Sequence, residues 1–391
     1  MKRTKPLRVV FLERMIPDYR TRLFVLLREK LAERGIEFIL VTGQMHDSES
    51  LRELLPSGDW VKKIHNVYLT EKIHFPMFKN TIKHADLVIM HPQNSALGNY
   101  WLIARRKLTG RPKIAFFGHG GNAQILKSGT PMPIKEHWKR WLARSPDWWF
   151  PYTEFSRDLI QELEIEYPSS RMTIVNNAID TTSFARGLDA VSAETVNQLR
   201  DELKITSTNQ VGLFCGRLNP IKVNVLAEAA LMIYKRNPEF RLIIVGKGPE
   251  RPRIEKFAAE NPWVHYVGPK YDEERFPYFA VSHVFLMPGL VGLAILDALA
   301  AGLPLLTTKC GVHAPEISYL QHGTNGLMTQ PDAQVYADAV IELLNNPSKL
   351  HEMSLAARAT GRGITMESMA DRFVEGVCKL FALDDSINSV A

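Results

Sequence analysis

At 391 residues the chain is too long for one ordinary hydrophobic core, so two domains are expected. Its 45% hydrophobic and 23% charged residues belong to a folded globular protein, which excludes a fibrous or disordered chain. The net charge of +6 is local: between Arg105 and Arg144 ten basic residues face one acid, Glu136, which leaves the remainder about −3.

Cys215, Cys310 and Cys378 are scattered and odd in number, forming neither a metal spacing nor a disulfide framework, so a reducing cytoplasmic setting is expected. The opening MKRTKPLRVVFLERM has only a strand-length apolar run and no small-residue cleavage site, which argues against a signal peptide. The best apolar window is interrupted by Asp297, so no spanning helix is expected.

In chain order, residues 8–12 read as a buried strand. A polar turn with Pro17 and Asp18 follows, then a helix marked by Leu23, Leu26, Leu27 and Leu31. Further strands are predicted at 36–43, 86–90, KIAFFG, DWWFPYT and 171–180, with Thr153 or Ser156 capping the helix after the fifth. Residues 181–210 carry no strand and read as linker plus helix. The alternation then restarts as VGLFCG, RLIIVG, WVHYVG, HVFLMP and LPLLTT, each followed by a helical stretch, and ends in a helix over about 366–383. Short apolar strands alternating with helices predict two doubly wound Rossmann-like α/β domains. The boundaries read as 1–190 for the first domain, with helix 366–391 returning to it, and 191–365 for the second. Ligands are expected at the carboxyl ends of the strands, in a cleft between facing domains.

The stretch from Pro288 to Thr308 has the grammar of a ligand-binding βα unit. A buried run meets a Pro-Gly break, a second glycine at Gly292, then a helix to about Ala301 closed by Gly302 and Pro304. Free amides and the helix dipole at such a start accept an anion. GRLNPIK places Gly216, Arg217 and Lys222 after the first strand of the second half, and that pair of cations suits a diphosphate. The alternative there is an ordinary solvated loop. GKGPE brings Gly246 and Gly248 to the next strand end, equally consistent with a tight turn and with ligand contact. Glu316 in GVHAPEI can cap a helix or accept sugar hydroxyls, and His313 is a weaker candidate. GHGGN sets His119 and Asn122 after a first-domain strand, where a histidine between glycines favours a site role. No metal-ligand spacing, nucleophile elbow or P-loop is present, and G-x-G-x-x-G is missing from the first strand–helix junction.

In their order, GRLxxxK, GxGPE, the glycine-rich helix start, AxGxPL, PE and NG resemble the retaining glycosyltransferases of family four, which have the GT-B fold. The resemblance spans nearly the whole chain and implies metal-independent transfer from a nucleotide-sugar donor, linked to uridine or guanosine diphosphate, with no other cofactor. It implies that Arg217 and Lys222 neutralise the diphosphate, helped by the amides of Gly292 and Leu293, and that His119 contacts the donor sugar. The family's two glutamates fall here on Gly289 and Asp297; Asp297 keeps a carboxylate for a ribose hydroxyl and Gly289 has none, which implies a variant subgroup. Gly216, Gly246, Gly248 and Glu316 join the donor side, and Arg20 and Asn122 the acceptor side. The expected acceptor is a glycan or lipid-linked sugar of surface polysaccharide or glycolipid assembly. The alternative, motivated by Gly289, is a catalytically silent nucleotide-sugar-binding partner.

In PIKEHWKRWLAR, Ile134, Trp138, Trp141 and Leu142 share a helical face ringed by basic residues. Residues 132–149 therefore read either as a core-packed helix or as a contact with an anionic membrane at the cytoplasmic face. Nucleic acid binding through this patch ranks last, because no nucleic-acid motif accompanies it.

Overall fold

The computed structural model describes residues 5–46, 53–78, 80–120, 140–163, 167–311 and 313–382. The chain divides into two compact units, 1–179 with 366–391 and 180–365.

The first unit holds a six-stranded parallel sheet. Its strands are β1 (Leu7–Glu13), β2 (Ile36–Thr42), β3 (Val61–Lys63), β6 (Leu87–Met90), β7 (Lys113–Gly118) and β8 (Trp148–Pro151), in the order β3-β2-β1-β6-β7-β8. A separate antiparallel hairpin joins β4 (Asn66–Tyr68) to β5 (His74–Pro76). Helices α1 (Thr21–Glu33), α2 (Leu97–Thr109) and α3 (Glu154–Leu163) follow their strands. Thr153 caps α3, its hydroxyl accepting from the Ser156 amide at 3.3 Å. The strand expected at 171–180 is not a regular strand. Met172 makes one bridge to Trp149, and the amides of Thr173, Val175 and Asn177 donate to carbonyls of Trp149, Pro151 and Tyr152, so this segment lines the edge of β8.

The second unit repeats the scheme. Its helices α4 (Thr181–Asp189) and α5 (Ala193–Glu202) lead into β9 (Gln210–Cys215), α6 (Pro220–Arg236), β10 (Phe240–Val245), α7 (Arg251–Glu260) and β11 (Val264–Gly268). Then come α8 (Phe276–Ala280), β12 (Val284–Leu286), α9 (Ala294–Ala301), β13 (Leu305–Thr308), β14 (Gly326–Thr329), α10 (Ala333–Leu344) and α11 (Pro347–Gly363). The strand order is β11-β10-β9-β12-β13-β14. Both sheets thus have the doubly wound order in which the winding reverses beside the first strand, at β1/β6 and at β9/β12. Helix α4, expected in the first domain, belongs to the second unit, because Phe184 packs edge-on against Phe276 and Phe279 at 5.3 and 5.1 Å.

The last helix, α12 (Met366–Phe381), packs on the first unit. Phe373 meets the rings of Phe11, Phe117 and Phe150 at 5.9, 5.1 and 4.7 Å. Such ring pairs add about 0.5–1.5 kcal/mol each beyond burial. Two ion pairs at its rim, Arg22–Glu367 and Lys30–Asp371, both at 2.6 Å, are partly exposed and contribute about 0–1 kcal/mol each. Among the described residues no helix is long and apolar enough to cross a membrane.

Candidate functional site

In the second unit the two loops at the switch point meet. Gly216 lies at the end of β9, and a Cβ there would stand 3.2 Å from Met287 at the end of β12 and 3.8 Å from Lys222 Nζ. Asn219 caps α6, its side-chain oxygen accepting from the Lys222 amide at 3.2 Å, and Pro220 occupies the first turn. That start turns Lys222 inward. The lysine is 6% exposed, burial lowers its pKa, and no carboxylate pairs with it among the described residues. A buried ammonium without a counter-charge is costly, so the site favours an incoming anion. Arg217, one turn earlier, is exposed.

The loop from Pro288 to Leu293 is held by β13 and its following turn. The Gly289 amide donates to Thr308 Oγ1 at 2.9 Å, and Thr307 Oγ1 donates to the Gly289 carbonyl at 3.2 Å. His313 Nδ1 accepts from the Val291 amide at 3.1 Å, while its Nε2 donates to the Thr308 carbonyl at 2.9 Å. This fixes a neutral tautomer, in accord with a pKa lowered by burial. Helix α9 starts after Leu293, with Gly292 and Leu293 half-buried and, among the described residues, only Ala314 near Gly292, at 3.7 Å from its Cβ position. The Ile295 and Leu296 amides close onto the carbonyls of Gly292 and Leu293 at 3.2 and 2.9 Å, which leaves the Gly292 and Leu293 amides ahead of them as the donors that an anion would meet.

Several residues expected to touch a donor also have a role in the fold. Gly246 has φ +147°, and a Cβ on it would overlap the Gly216 carbonyl oxygen at 1.9 Å. At Gly248 the clash would be with the Leu218 carbonyl at 2.1 Å. The Leu218 amide donates to Lys247 O at 2.9 Å, so the GKGPE loop is zipped to GRL and its glycines serve that close approach. Asp297 is buried and ion-paired to Arg275 at 2.7 Å; burial raises its pKa, and its Oδ1 has no hydrogen-bond partner. Arg275 also reaches Cys215, whose thiol burial pushes up to about 12. Glu316 is buried in a short turn over Pro315–Tyr319. Sequence reasoning missed Arg275, which sits in a motif-free helix start. It also undervalued His313, whose work is done on main-chain atoms.

In the first unit His119 follows β7. Its ring meets Tyr152 edge-on at 5.9 Å, and its pKa is lowered by surrounding protein, then by His91 and Arg20. Arg20 was expected at the acceptor, but it is buried. It donates to the Tyr152 hydroxyl at 2.7 Å and lies over the Phe117 ring at 4.8 Å, so it supports Tyr152 from inside. Behind them the buried Glu13 at the end of β1 receives His91 Nε2 at 2.9 Å. Asn122 and residues 132–139 lie outside the described residues. Within 140–149, Leu142, Trp148 and Trp149 are core, and Trp141 stacks on Tyr100 at 6.1 Å with Lys107 over its ring.

Two surface hollows of the second unit lie elsewhere. One is bounded by Asn346 and Lys349, the other by His283, Gly302 and Arg358. The second is at the amino ends of β12 and β13, away from the switch point.

Two Rossmann-like units with this strand order and glycine-rich loops at the carboxyl ends have the architecture of GT-B glycosyltransferases. The HepE protein of Anabaena, solved in complex with UDP-glucose, superposes with a TM-score of 0.65 at 16% identity, covering 95% of this chain and 99% of that one. Residues 209–346 match the model of the family Glycosyl transferases group 1, so the second unit carries that family's pattern. The alpha-monoglucosyldiacylglycerol synthase of Acholeplasma laidlawii is 26% identical over 205 residues, 51% of this chain and 50% of that protein. A sulfoquinovosyl transferase of Arabidopsis thaliana is 24% identical over 245 residues, 56% of this chain and 46% of that protein. The chain therefore spans about half the length of these two curated relatives.

Proposed function

We propose that the protein is a nucleotide-sugar-dependent glycosyltransferase that transfers its sugar with retention and without a tightly held metal. The observation that carries this reading is Lys222: a buried ammonium with no carboxylate partner among the described residues, next to the loop that presents the Gly292 and Leu293 amides, at the switch point of the second sheet. A nucleoside diphosphate fits such a site, with Lys222 and Arg217 taking its charge and the amides of Gly292 and Leu293 donating to its oxygens. The unpartnered Oδ1 of Asp297 is the acceptor left for a donor hydroxyl. The UDP-glucose complex of the structural neighbour supports a UDP-linked donor.

In this reading the bond between the anomeric carbon and the diphosphate oxygen breaks as the acceptor hydroxyl attacks from the same face. The acceptor's proton passes to the leaving phosphate, and the two cations with the loop amides stabilise the charge that develops there. We assign to His119, whose pKa burial lowers, a hydrogen bond to the sugar or acceptor. A lipid acceptor is in keeping with the name of the Acholeplasma relative, an alpha-monoglucosyldiacylglycerol synthase. Such an enzyme would work in the cytoplasm, at the inner face of the membrane.

Incubation with UDP- and GDP-sugars, reading release of the free diphosphate with and without glycolipid acceptors, tests this directly. Turnover that Arg217→Ala or Lys222→Ala slows by roughly two orders of magnitude or more supports it. Binding of donor with no hydrolysis or transfer would instead mark a silent nucleotide-sugar-binding protein.

A further inference from the structure

The hairpin of β4 and β5 is built inside out. Its antiparallel register pairs Val67 with Phe75, and the Leu69 amide donates to the Ile73 carbonyl at 2.8 Å, while Met77 bonds to His65 at 2.9 Å. Alternation therefore puts Val67, Leu69, Ile73, Phe75 and Met77 on one face of the ribbon. Four of the five are open, Leu69 64% exposed, Met77 58%, Val67 40% and Ile73 38%, while Phe75 is half-buried and stacks on the core residue Phe78 at 6.3 Å. The opposite face carries the polar residues and is the buried one. Asn66 Nδ2 donates to the carbonyls of Arg14 and Gln44, the Tyr68 hydroxyl donates to Gln44 O, and His74 is buried. The ribbon is thus fixed to the unit by hydrogen bonds and presents its apolar side chains outward, the reverse of ordinary patterning.

Charge selects what covers it. From Asp59 to His84 the sequence has five lysines against two acids, and Lys62, Lys63, Lys72 and Lys83, within and flanking the hairpin in sequence, are exposed. A second copy docked face to face would bring like charges together. Five side chains also fall well short of the roughly 20–30 residues a side of a stable protein interface. Exposed apolar side chains in a segment with an excess of exposed lysines match the boundary of an anionic bilayer, where apolar tips enter the headgroup layer and lysines meet lipid phosphates.

We infer that the face of the 66–77 hairpin is a membrane-docking surface for anionic lipid bilayers. It is separate from the 132–149 segment and does not rest on the glycosyltransferase reading. The full-length chain is tested by flotation with phosphatidylcholine vesicles containing phosphatidylglycerol, and with phosphatidylcholine alone. The expected result is binding to the anionic vesicles that weakens with salt. Leu69→Ser/Ile73→Ser/Met77→Ser should lower it about ten-fold or more. Its melting temperature should stay unchanged, since these side chains are exposed. Lys62→Ala/Lys63→Ala/Lys72→Ala should remove the salt-sensitive part, and Leu108→Ser, exposed on α2, should change nothing. The inference is overturned if the wild type ignores anionic vesicles or if both hairpin variants bind as it does. It is also overturned if sedimentation shows that the hairpin variants abolish self-association while vesicle binding persists.

Discussion

Gly289 rests on Ile221 so closely that a Cβ on it would stand 3.0 Å from the Ile221 carbonyl oxygen and 2.8 Å from its side chain. With φ at +82° the glycine also occupies the left-handed region. The missing carboxylate at this position is therefore built into the loop, and restoring it disturbs the site. Gly289→Ala is expected to cost about 1–3 kcal/mol from backbone strain alone. Gly289→Glu should lose more and should weaken donor binding, read by thermal unfolding and by donor KM. A Gly289→Glu variant as stable as the wild type and faster would refute this.

Gly246 makes the tighter approach, with its Cβ position 1.9 Å from the Gly216 carbonyl oxygen. Gly246→Ala must push apart the ends of β9 and β10, at a cost of about 3 kcal/mol or more. Chemical denaturation should show a lowered midpoint with an unchanged slope.

Arg275 and Asp297 form the ion pair beneath the site. Arg275→Met leaves a buried carboxylate without its partner and should destabilise by about 3–5 kcal/mol. Adding Asp297→Asn should recover much of that loss. Equal losses in the single and double variants would mean that Arg275 acts through packing on Phe184, whose ring lies 5.3 Å away.

Burial lowers the pKa of His119, His265, His283 and His313, so all four give the pH dependence the same sign, and two of them show the cause in their hydrogen bonds. His283 accepts from the Val211 amide at 3.0 Å and His313 from that of Val291, so both are held neutral, and burial lowers both pKa values. Their folded pKa values lie below the unfolded value of about 6.5, so the unfolded chain takes up protons first as pH falls. Stability should be full above about pH 7 and decline below about 6.5. Melting curves at several pH values check this, and His283→Asn should flatten the slope.

Both Rossmann-like units were legible because buried parallel strands are continuous apolar runs, as in VVFL, which charged residues bound, and LIIV, which Gly246 ends. The hairpin at 66–76 was not, because its buried face is Asn66 and His74 while its apolar residues point outward. A pattern reader expects the opposite. β14 and the edge segment at 171–180 are short and half-polar, so their state is decided by the neighbouring strand. At the site, the cations and glycines announced themselves by spacing. Spacing did not show that Gly246 and Gly248 serve the approach of two loops, that Arg20 is buried under Tyr152, or that His313 pins the 288–293 loop through backbone atoms.

Lys222 is proposed to hold a buried positive charge for a nucleoside diphosphate. The most direct test is thermal unfolding of the wild type and of Lys222→Met, each with and without UDP and GDP. Because burial disfavours its charge, Lys222→Met should melt higher than the wild type without ligand. One of the nucleotides should raise the wild-type melting temperature in a saturable way, as a ligand of the native state does, and should leave the variant unmoved. A wild type indifferent to both nucleotides, or a variant stabilised as much as the wild type, would contradict the account.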